Sequence, residues 1–302
     1  MNEQVLRIEG LTKTFGSRTV VDNVSFDVKR GEIFGYLGPN GSDKTTTIRL
    51  ALGILRPDDG SVSILGLPPE RSVLKGVGYL PEERGLPRKI RVLDAMRYLG
   101  RLKGLTFKEA EERACELLRR VKLYEHRNKK VEELSRGMTQ LVQFATAIIR
   151  EPEFIILDEP FSGLDPLNVE LIKELLLERQ RAGMTIMFST HIMSDVEELC
   201  ERVALIADGR LLLHGDLAEI KRQRGANSVH VKAPRTPDDL VDSQNMFPSN
   251  GLVEYPIDGD TTPETILRSY LDAGIDIEQF EVALPSLNEI FIEEVSHARS
   301  VS

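Results

Sequence analysis

A glycine-rich segment near the start of the 302-residue chain has the composition of a phosphate-binding loop. Residues 38–45 read Gly-Pro-Asn-Gly-Ser-Asp-Lys-Thr and lie between a short apolar stretch and a stretch with helical spacing. The backbone N–H groups of such a loop, with a helix N-terminus behind them, can bind phosphate oxygens. Lys44 would then reach the terminal phosphates of a nucleotide, and the Thr45 hydroxyl would hold Mg²⁺. The alternative is a glycine turn followed by an exposed lysine.

The residues expected to contact a nucleotide here are Gly38, Pro39, Asn40, Gly41, Ser42, Asp43, Lys44, Thr45 and Thr46. One of them departs from the pattern G-x-x-x-x-G-K-S/T, because Asp43 stands where glycine is expected. A carboxylate there adds a Cβ where backbone must approach phosphate, and it places a like charge beside the phosphates. At about 4 Å and an effective dielectric constant near 20, this repulsion is on the order of 4 kcal/mol. That corresponds to roughly a thousandfold in affinity, unless the side chain rotates away.

Two further segments supply groups that such a site needs. Residues 154–159 read Phe-Ile-Ile-Leu-Asp-Glu, so a buried strand would deliver Asp158 to Mg²⁺ and Glu159 as a base for the attacking water. A strand that ends in Asp-Glu is weak evidence alone, but this one follows the phosphate loop by about 110 residues. Residues 134–140 open a predicted helix, and its Ser135 N-cap is either a second phosphate contact or an ordinary cap.

In their order along the chain, these motifs resemble those of the ATP-binding subunit of an ABC transporter. The phosphate loop is followed by an LSxG signature at 134–137 and by Asp158-Glu159. Residues 162–165, Ser-Gly-Leu-Asp, resemble the D-loop, and His191 resembles the switch histidine. Phe15 matches the aromatic position that stacks on adenine, with a core aromatic as the alternative. The resemblance covers about residues 5–220.

The resemblance implies a head-to-tail dimer of two ATP-binding subunits that closes on two ATP molecules. Each ATP would lie between Lys44 of one copy and both Ser135 and Gly137 of the other. Glu159 would polarise water and His191 would contact the γ-phosphate. The resemblance also implies a separate membrane permease as partner, a peripheral location at the cytoplasmic face of the cell membrane, and no nucleic-acid partner.

Glu82 is a second departure, since the family usually has glutamine at this position, in contact with Mg²⁺. A carboxylate can also ligate Mg²⁺, so Glu82 is kept as a metal ligand with Thr45 and Asp158. The Pro-Glu-Glu-Arg-Gly segment at 81–85 and the tail segment at 284–291 resemble a branch of exporters of the sodium-extrusion or drug-resistance type. Coupling of ATP hydrolysis to export is therefore expected.

Two other functions remain open at this level. A soluble, non-transport ABC ATPase acting on DNA or ribosomes would carry a long coiled coil or a second ATPase half. Here only about 50 residues separate Glu82 from Leu134, and one half is present. The other alternative is a variant with impaired nucleotide binding, and Asp43 is the residue that suggests it.

The elements that must position these residues alternate along the chain. Strands are predicted at 33–37, 154–157 and 184–189, with helices at 44–55 and 167–182 between them, which is typical of an α/β fold with a mainly parallel sheet. The fold that the motifs and elements together predict is a P-loop NTPase core of the ABC type with an antiparallel β N-terminal portion. It includes an inserted helical subdomain at about 86–150. The ATP-binding domain would span 1–220, and a small C-terminal α/β accessory domain 226–302.

The composition argues against a membrane-spanning, secreted or disulfide-rich protein. No apolar run approaches the roughly 18 residues that span a bilayer, the first ten residues disfavour a secretory signal, and two cysteines are too few for a disulfide framework. The net charge is −9, yet residues 86–136 hold 15 Lys and Arg against 8 Asp and Glu. This basic segment could face anionic lipid headgroups or nucleic acid, or be an ordinary solvated pair of helices.

Overall fold

The computed structural model of the chain describes residues 4–83, 85–225, 228–243, 245–247, 252–257 and 261–301. It separates into two compact units, Met1–Gly215 and Asp216–Ser302. The strands of the first unit are β1 (Gln4–Phe15), β2 (Arg18–Lys29), β3 (Ile33–Leu37), β4 (Asp59–Ile64), β5 (Val77–Leu80), β6 (Phe154–Asp158), β7 (Thr185–Thr190), β8 (Arg202–Ala207) and β9 (Arg210–Asp216). Its helices are α1 (Lys44–Ala51), α2 (Arg71–Leu74), α3 (Val92–Leu102), α4 (Phe107–Arg120), α5 (Arg136–Ala147), α6 (Pro166–Arg181) and α7 (Met193–Leu199).

A six-stranded sheet forms the centre of the first unit, in the order β5-β6-β7-β3-β8-β9. The pairings from β5 to β8 are all parallel. Every residue of β3, β6 and β7 is buried. The sequences of β3 and β6 are accordingly mostly apolar, because the strands of a parallel sheet are covered on both faces. β7 has an apolar centre and also buries Thr185, Ser189 and Thr190. Asp208 and Gly209 both have positive φ (48° and 77°), and they make the tight turn predicted between β8 and β9.

A second, antiparallel sheet in the order β2-β1-β4 confirms the predicted N-terminal portion. It packs on the central sheet through aromatic rings, with the Phe26 centroid 5.7 Å from Phe34 and 5.1 Å from Tyr36. These residues share one buried cluster with the apolar face of α1. The phosphate loop, which joins β3 to α1, is thus anchored at both ends in the core.

The inserted segment is helical, as predicted, and consists of α3, α4, α5 and two short 3-10 turns. Thr106 and Glu109 form a capping box that begins α4. Lys103, after the end of α3, donates to the carbonyl oxygens of Thr146 (3.2 Å) and Ala147 (3.1 Å) at the end of α5. This cation satisfies carbonyl groups that a helix C-terminus leaves open, so it fixes α3 against α5.

Helix α1 is shorter than predicted. It ends at Ala51, not near Leu55, because Gly53 adopts a left-handed conformation with φ 64°. A Cβ at Gly53 would lie 2.8 Å from the carbonyl oxygen of Pro69, so the turn requires glycine.

Among its described residues, the second unit contains helix α8 (Leu217–Arg224), four strands, and helices α9 (Pro263–Asp272) and α10 (Leu287–Val301). The strands are β10 (Ser228–Lys232), β11 (Asn245–Phe247), β12 (Leu252–Pro256) and β13 (Gln279–Ala283). They form an antiparallel sheet in the order β11-β12-β10-β13. The hydroxyls of Tyr255 and Tyr270 meet at 2.7 Å in its core. Nowhere in the described part of the chain is a helix long and apolar enough to cross a membrane.

Candidate nucleotide-binding site

The candidate site lies where three neighbouring parallel strands end. The phosphate loop follows β3, Glu159 follows β6 and His191 follows β7, and these strands adjoin in the order β6-β7-β3. Because their carboxyl ends share one sheet edge, residues that are over 100 positions apart in sequence converge. The structure thus brings Lys44, Glu159 and His191 together.

A cavity of about 390 Å³ opens at this edge. The residues that line it are Asn40, Gly41, Ser42, Asp43, Lys44, Thr45, Thr46, Glu82, Glu159, Ser162 and His191. All but Ser162 were expected from the sequence as contacts to nucleotide or metal, or as catalytic groups. Phe15, Gly38, Pro39 and Asp158 were also expected there, and they are not among the lining residues. Ser135 and Gly137 were expected at the nucleotide of a second copy, and they do not line this cavity either.

The start of the phosphate loop is tightly packed. A Cβ at Gly38 would lie 2.3 Å from the carbonyl oxygen of Ile206 and 2.5 Å from Ser42 Oγ, so this position accepts glycine alone. Gly41 has φ +80° and open space around it. The buried Ser42 Oγ has no hydrogen-bond partner among the described residues, which is costly unless a bound group supplies one. The loop is therefore shaped to receive a polar ligand.

Lys44 is folded back into this loop. Its Nζ donates to the carbonyl oxygens of Gly38 (2.8 Å) and Pro39 (3.2 Å) and lies 3.5 Å from Glu159 Oε1. The Lys44 and Glu159 side chains are only 7% and 10% exposed, so their mutual attraction is weakly screened by water. A phosphate oxygen that binds Lys44 must take the place of some of these contacts.

Glu159 is held from several directions. Its backbone has φ 50°, and its N–H donates to the carbonyl oxygen (3.2 Å) and the hydroxyl (3.1 Å) of Ser189. Both carboxylate oxygens lie 3.1 Å from Nδ1 of His191. A carboxylate only accepts hydrogen bonds, so the proton in this contact belongs on Nδ1. The carboxylate is thereby aimed into the cavity between a lysine and a histidine.

Asp158 lies just behind the cavity at the end of β6. Its Oδ1 accepts a hydrogen bond from Ser189 Oγ at 2.6 Å, while the buried Oδ2 has no partner. Burial raises the pKa of the Asp158 carboxyl, against the side-chain hydrogen bonds of Ser189 and Thr45, and the charges of Glu82 and Glu159 raise it further. A cation at Oδ2 would reverse this effect. Ser189 was missed in the sequence, where its signal is a small hydroxyl residue at the end of a buried strand beside β6.

The oxygen groups of Thr45, Glu82 and Asp158 fit a magnesium ion that is shared with phosphate. Thr45 Oγ1 donates to Glu82 Oε2 at 3.3 Å, which brings two of the three together. Within the described ranges, no group of three His, Cys, Asp or Glu side chains is arranged to hold a metal without other ligands. Mg²⁺ is commonly bound by one or two carboxylates together with substrate phosphates, so this set of oxygens suits it.

Asp43 occupies the left-handed region with φ 66° and ψ 28°, which explains why glycine is favoured at this position. Its Oδ1 accepts a hydrogen bond from Thr46 Oγ1 at 3.2 Å, and its Oδ2 lies 3.8 Å from a guanidinium nitrogen of Arg18. The side chain still borders the cavity, but it is held by a hydroxyl and faces a cation. Arg18 was not singled out in the sequence, since the contact joins positions 25 residues apart.

Phe15 and the signature residues lie outside the cavity. Phe15 is 50% exposed at the end of β1, so its ring is not a core aromatic, and Lys13 Nζ lies 5.5 Å from the ring centroid. Ser135 caps α5 by accepting a hydrogen bond from the Met138 N–H at 3.2 Å, and its own hydroxyl hydrogen remains able to donate. Gly137 follows in the first turn of α5. The resemblance assigns these two residues to the nucleotide of a second copy.

A parallel sheet that brings a phosphate loop, an Asp-Glu pair and a histidine to one edge defines a P-loop nucleoside triphosphatase. The family model described as ABC transporter matches residues 21–162, and the model described as ATP-binding protein DrrA1-3-like, C-terminal domain, matches residues 215–295. The uncharacterized ABC transporter ATP-binding protein YhaQ of Bacillus subtilis (strain 168) is 41% identical over 96% of this chain and 98% of its own length.

Two more proteins agree with these matches. Nod factor export ATP-binding protein I of Mesorhizobium japonicum is 38% identical over 68% of this chain and 62% of its own length. A solved ATP binding subunit of an ABC transporter is 32% identical, with a TM-score of 0.69 over 73% of this chain and 93% of its own. The chain belongs to the family of ABC transporter ATP-binding proteins. The predicted family and fold are confirmed.

Proposed function

We propose that the chain binds Mg-ATP at the cavity and hydrolyses it to drive export through a membrane permease. The meeting of Lys44, Glu159 and His191 at one edge of the sheet is the observation that supports this proposal most strongly. Lysine supplies the positive charge that a γ-phosphate requires, and a buried carboxylate beside a histidine can accept a proton from water. Phosphoryl transfer needs little else from a protein beyond positioning and charge.

The contacts of Lys44, Glu159 and His191 suggest how these residues act on a bound nucleotide. Lys44 leaves Glu159 for a phosphate oxygen, which frees the Glu159 carboxylate to orient the attacking water and accept its proton. His191 then turns from Glu159 toward the γ-phosphate. Thr45, Glu82 and Asp158 would hold Mg²⁺, which would supply positive charge to offset the charge that develops on the phosphate oxygens.

A second copy of the chain is the proposed partner for catalysis. Ser135 and Gly137 sit at the N-terminus of α5, where backbone N–H groups favour an anion, but they do not border this cavity. A head-to-tail homodimer would place them on the partner's ATP, and Phe15 would stack on adenine within the same copy. The proposed nucleotide-binding domain spans 1–220, and the remainder, 226–302, is proposed as an accessory domain.

The permease is proposed to hold the chain at the cytoplasmic face of the membrane. ABC ATP-binding subunits work with membrane permeases, and one relative is named for the export of Nod factor. We propose export for this chain as well, supported by that relative and by the tail that matches a DrrA-like C-terminal domain. No nucleic-acid partner is proposed, and the basic segment at 86–136 is assigned to the permease or to anionic lipid.

A second candidate function follows from Asp43. This residue would make the chain bind ATP poorly, although the chain belongs to a family of ATPases. The two candidates are separated by measuring phosphate release from the native chain and from Asp43→Gly, each in Mg-ATP. Release by both supports the first candidate, and release by Asp43→Gly alone supports the second. If neither chain releases phosphate, although both are folded and no permease is present, a test of ATP-dependent dimer formation is needed to decide.

The dimer test uses Glu159→Gln in the Asp43→Gly background, because a chain that binds but does not hydrolyse ATP should remain closed. The mass of this variant in solution is expected to double in Mg-ATP. When Ser135→Arg is added, the mass is expected to stay that of a monomer. If the mass of this variant never changes with ATP, and neither the native chain nor Asp43→Gly releases phosphate, the proposed function is refuted.

A further inference from the structure

We propose that Arg18 is a positioning residue for nucleotide, which holds the Asp43 carboxylate away from the phosphates and offsets its charge. The proposal rests on the proposed function, since it concerns ATP binding at the same cavity. It assigns to the pair Arg18 and Asp43 a role that neither residue would have alone.

The hairpin between β1 and β2 fixes the place of Arg18. Phe15 pairs with Arg18 across the turn at Gly16 and Ser17, and Gly16 has φ 61°. The next pair, Thr14 and Thr19, is joined through its hydroxyls at 3.1 Å. Arg18 is therefore the first residue of a well-paired strand, although its side chain is 73% exposed. The turn that presents Phe15 for adenine presents Arg18 to the phosphate loop.

The conformation of Asp43 fixes the other half of the pair. In the left-handed region the Asp43 carbonyl oxygen still begins α1, by accepting a hydrogen bond from the Thr47 N–H at 3.0 Å. The carboxylate is 21% exposed, with Oδ1 bonded to Thr46 and Oδ2 facing Arg18 at 3.8 Å. Thr46 and Arg18 thus engage both carboxylate oxygens beside the place where the loop would bind phosphate.

An exposed ion pair contributes little to folding stability, so the effect of this one is expected in binding. Without Arg18, the charge of Asp43 would act on the phosphates without compensation and its side chain would have one restraint fewer. With glycine at position 43, no carboxylate remains for Arg18 to offset. The effect of removing Arg18 must therefore depend on the residue at position 43, and this dependence is what distinguishes the proposal from a direct contact between Arg18 and nucleotide.

The test is a double-mutant cycle on Mg-ATP affinity with the full chain: native, Arg18→Ala, Asp43→Gly and the double variant. Affinity is measured by calorimetry, and for weak binders by the rise in Tm with increasing Mg-ATP. We expect Arg18→Ala to weaken binding by about five- to twentyfold in the native background and by less than about twofold in the Asp43→Gly background. Arg18→Lys should retain most of the native affinity.

Arg30→Ala is the matched control, because Arg30 also forms an exposed pair, with Glu153 at 3.1 Å. It precedes β3 and so lies at the opposite edge of the sheet from the phosphate loop. Its replacement should leave affinity unchanged in both backgrounds. Equal losses on Arg18→Ala in both backgrounds, or no loss in either, overturn the proposal while leaving the proposed function intact. Failure of Asp43→Gly itself to bind Mg-ATP overturns the proposed function instead.

Discussion

Replacement of Glu159 by glutamine separates binding of ATP from its hydrolysis, and the structure allows both effects to be estimated. Glu159 Oε1 lies 3.5 Å from Lys44 Nζ in a nearly buried pair. At an effective dielectric constant near 20, the attraction has an upper bound of about 5 kcal/mol, which competes with any phosphate for Lys44. Glutamine removes this competitor and keeps the shape, and its carbonyl oxygen can still accept from His191 Nδ1.

We therefore expect Glu159→Gln to bind Mg-ATP at least as tightly as its parent. Loss of the general base should lower kcat by about 10² to 10⁴. The assay measures phosphate release together with calorimetric affinity, in the Asp43→Gly background so that binding does not limit turnover. Glu153→Gln, an exposed glutamate at the opposite edge of the sheet, is the control and should leave both quantities unchanged. A kcat within about fivefold of the parent would remove Glu159 from the role of base.

Three further predictions concern other parts of the first unit. Burial lowers the pKa of Lys103 to about 8, so between pH 8 and the ordinary value near 10.5 the unfolded chain binds more protons than the folded one. The free energy of unfolding of the native chain should therefore rise by up to about 3 kcal/mol as the pH increases across this range. Lys103→Arg should abolish this part of the increase, as measured by denaturant unfolding at a series of pH values. Lys173 on α6 contacts Asp195 on α7 at 3.1 Å, and α7 directly follows His191. Lys173→Met leaves the buried Asp195 carboxylate unpaired, so it should disturb the placement of His191 and lower kcat more than ATP affinity. Lys173→Arg should restore kcat in the same assay. A photo-cross-linker at the exposed Tyr98 should capture the permease in native membranes, whereas one at the exposed Leu271 of the second unit should not; the reverse pattern would contradict the assigned orientation.

Local sequence signals predicted most of the first unit because each one has a direct physical cause. The apolar runs of β3 and β6 and the apolar centre of β7 could be recognised, since strands that are buried on both faces are rich in apolar residues. The glycine, lysine and threonine of the phosphate loop, between a strand and a helix, predicted the sheet edge at which the cavity lies. The Asp208-Gly209 turn was predictable because the central positions of a two-residue hairpin turn need positive φ, which the pair Asp-Gly accepts.

The interactions that the sequence did not reveal are those between distant positions. Nothing in the segment around Arg18 indicates that its guanidinium faces Asp43, because the contact depends on how the hairpin is placed against the phosphate loop. Ser189 holds both Asp158 and the Glu159 backbone, and a serine at the end of a strand has many ordinary roles. The sequence could place Glu159 and His191 near ATP, but it could not show that their side chains contact each other.

The central claim is that the phosphate loop binds Mg-ATP through Lys44 and that Asp43 weakens this binding. Calorimetric titration of Mg-ATP into the native chain, Asp43→Gly, and Asp43→Gly with Lys44→Ala tests it most directly. We expect micromolar binding by Asp43→Gly, binding at least about tenfold weaker by the native chain, and loss of binding with Lys44→Ala. Equal affinity of the native chain and Asp43→Gly, or binding that survives Lys44→Ala, would contradict it.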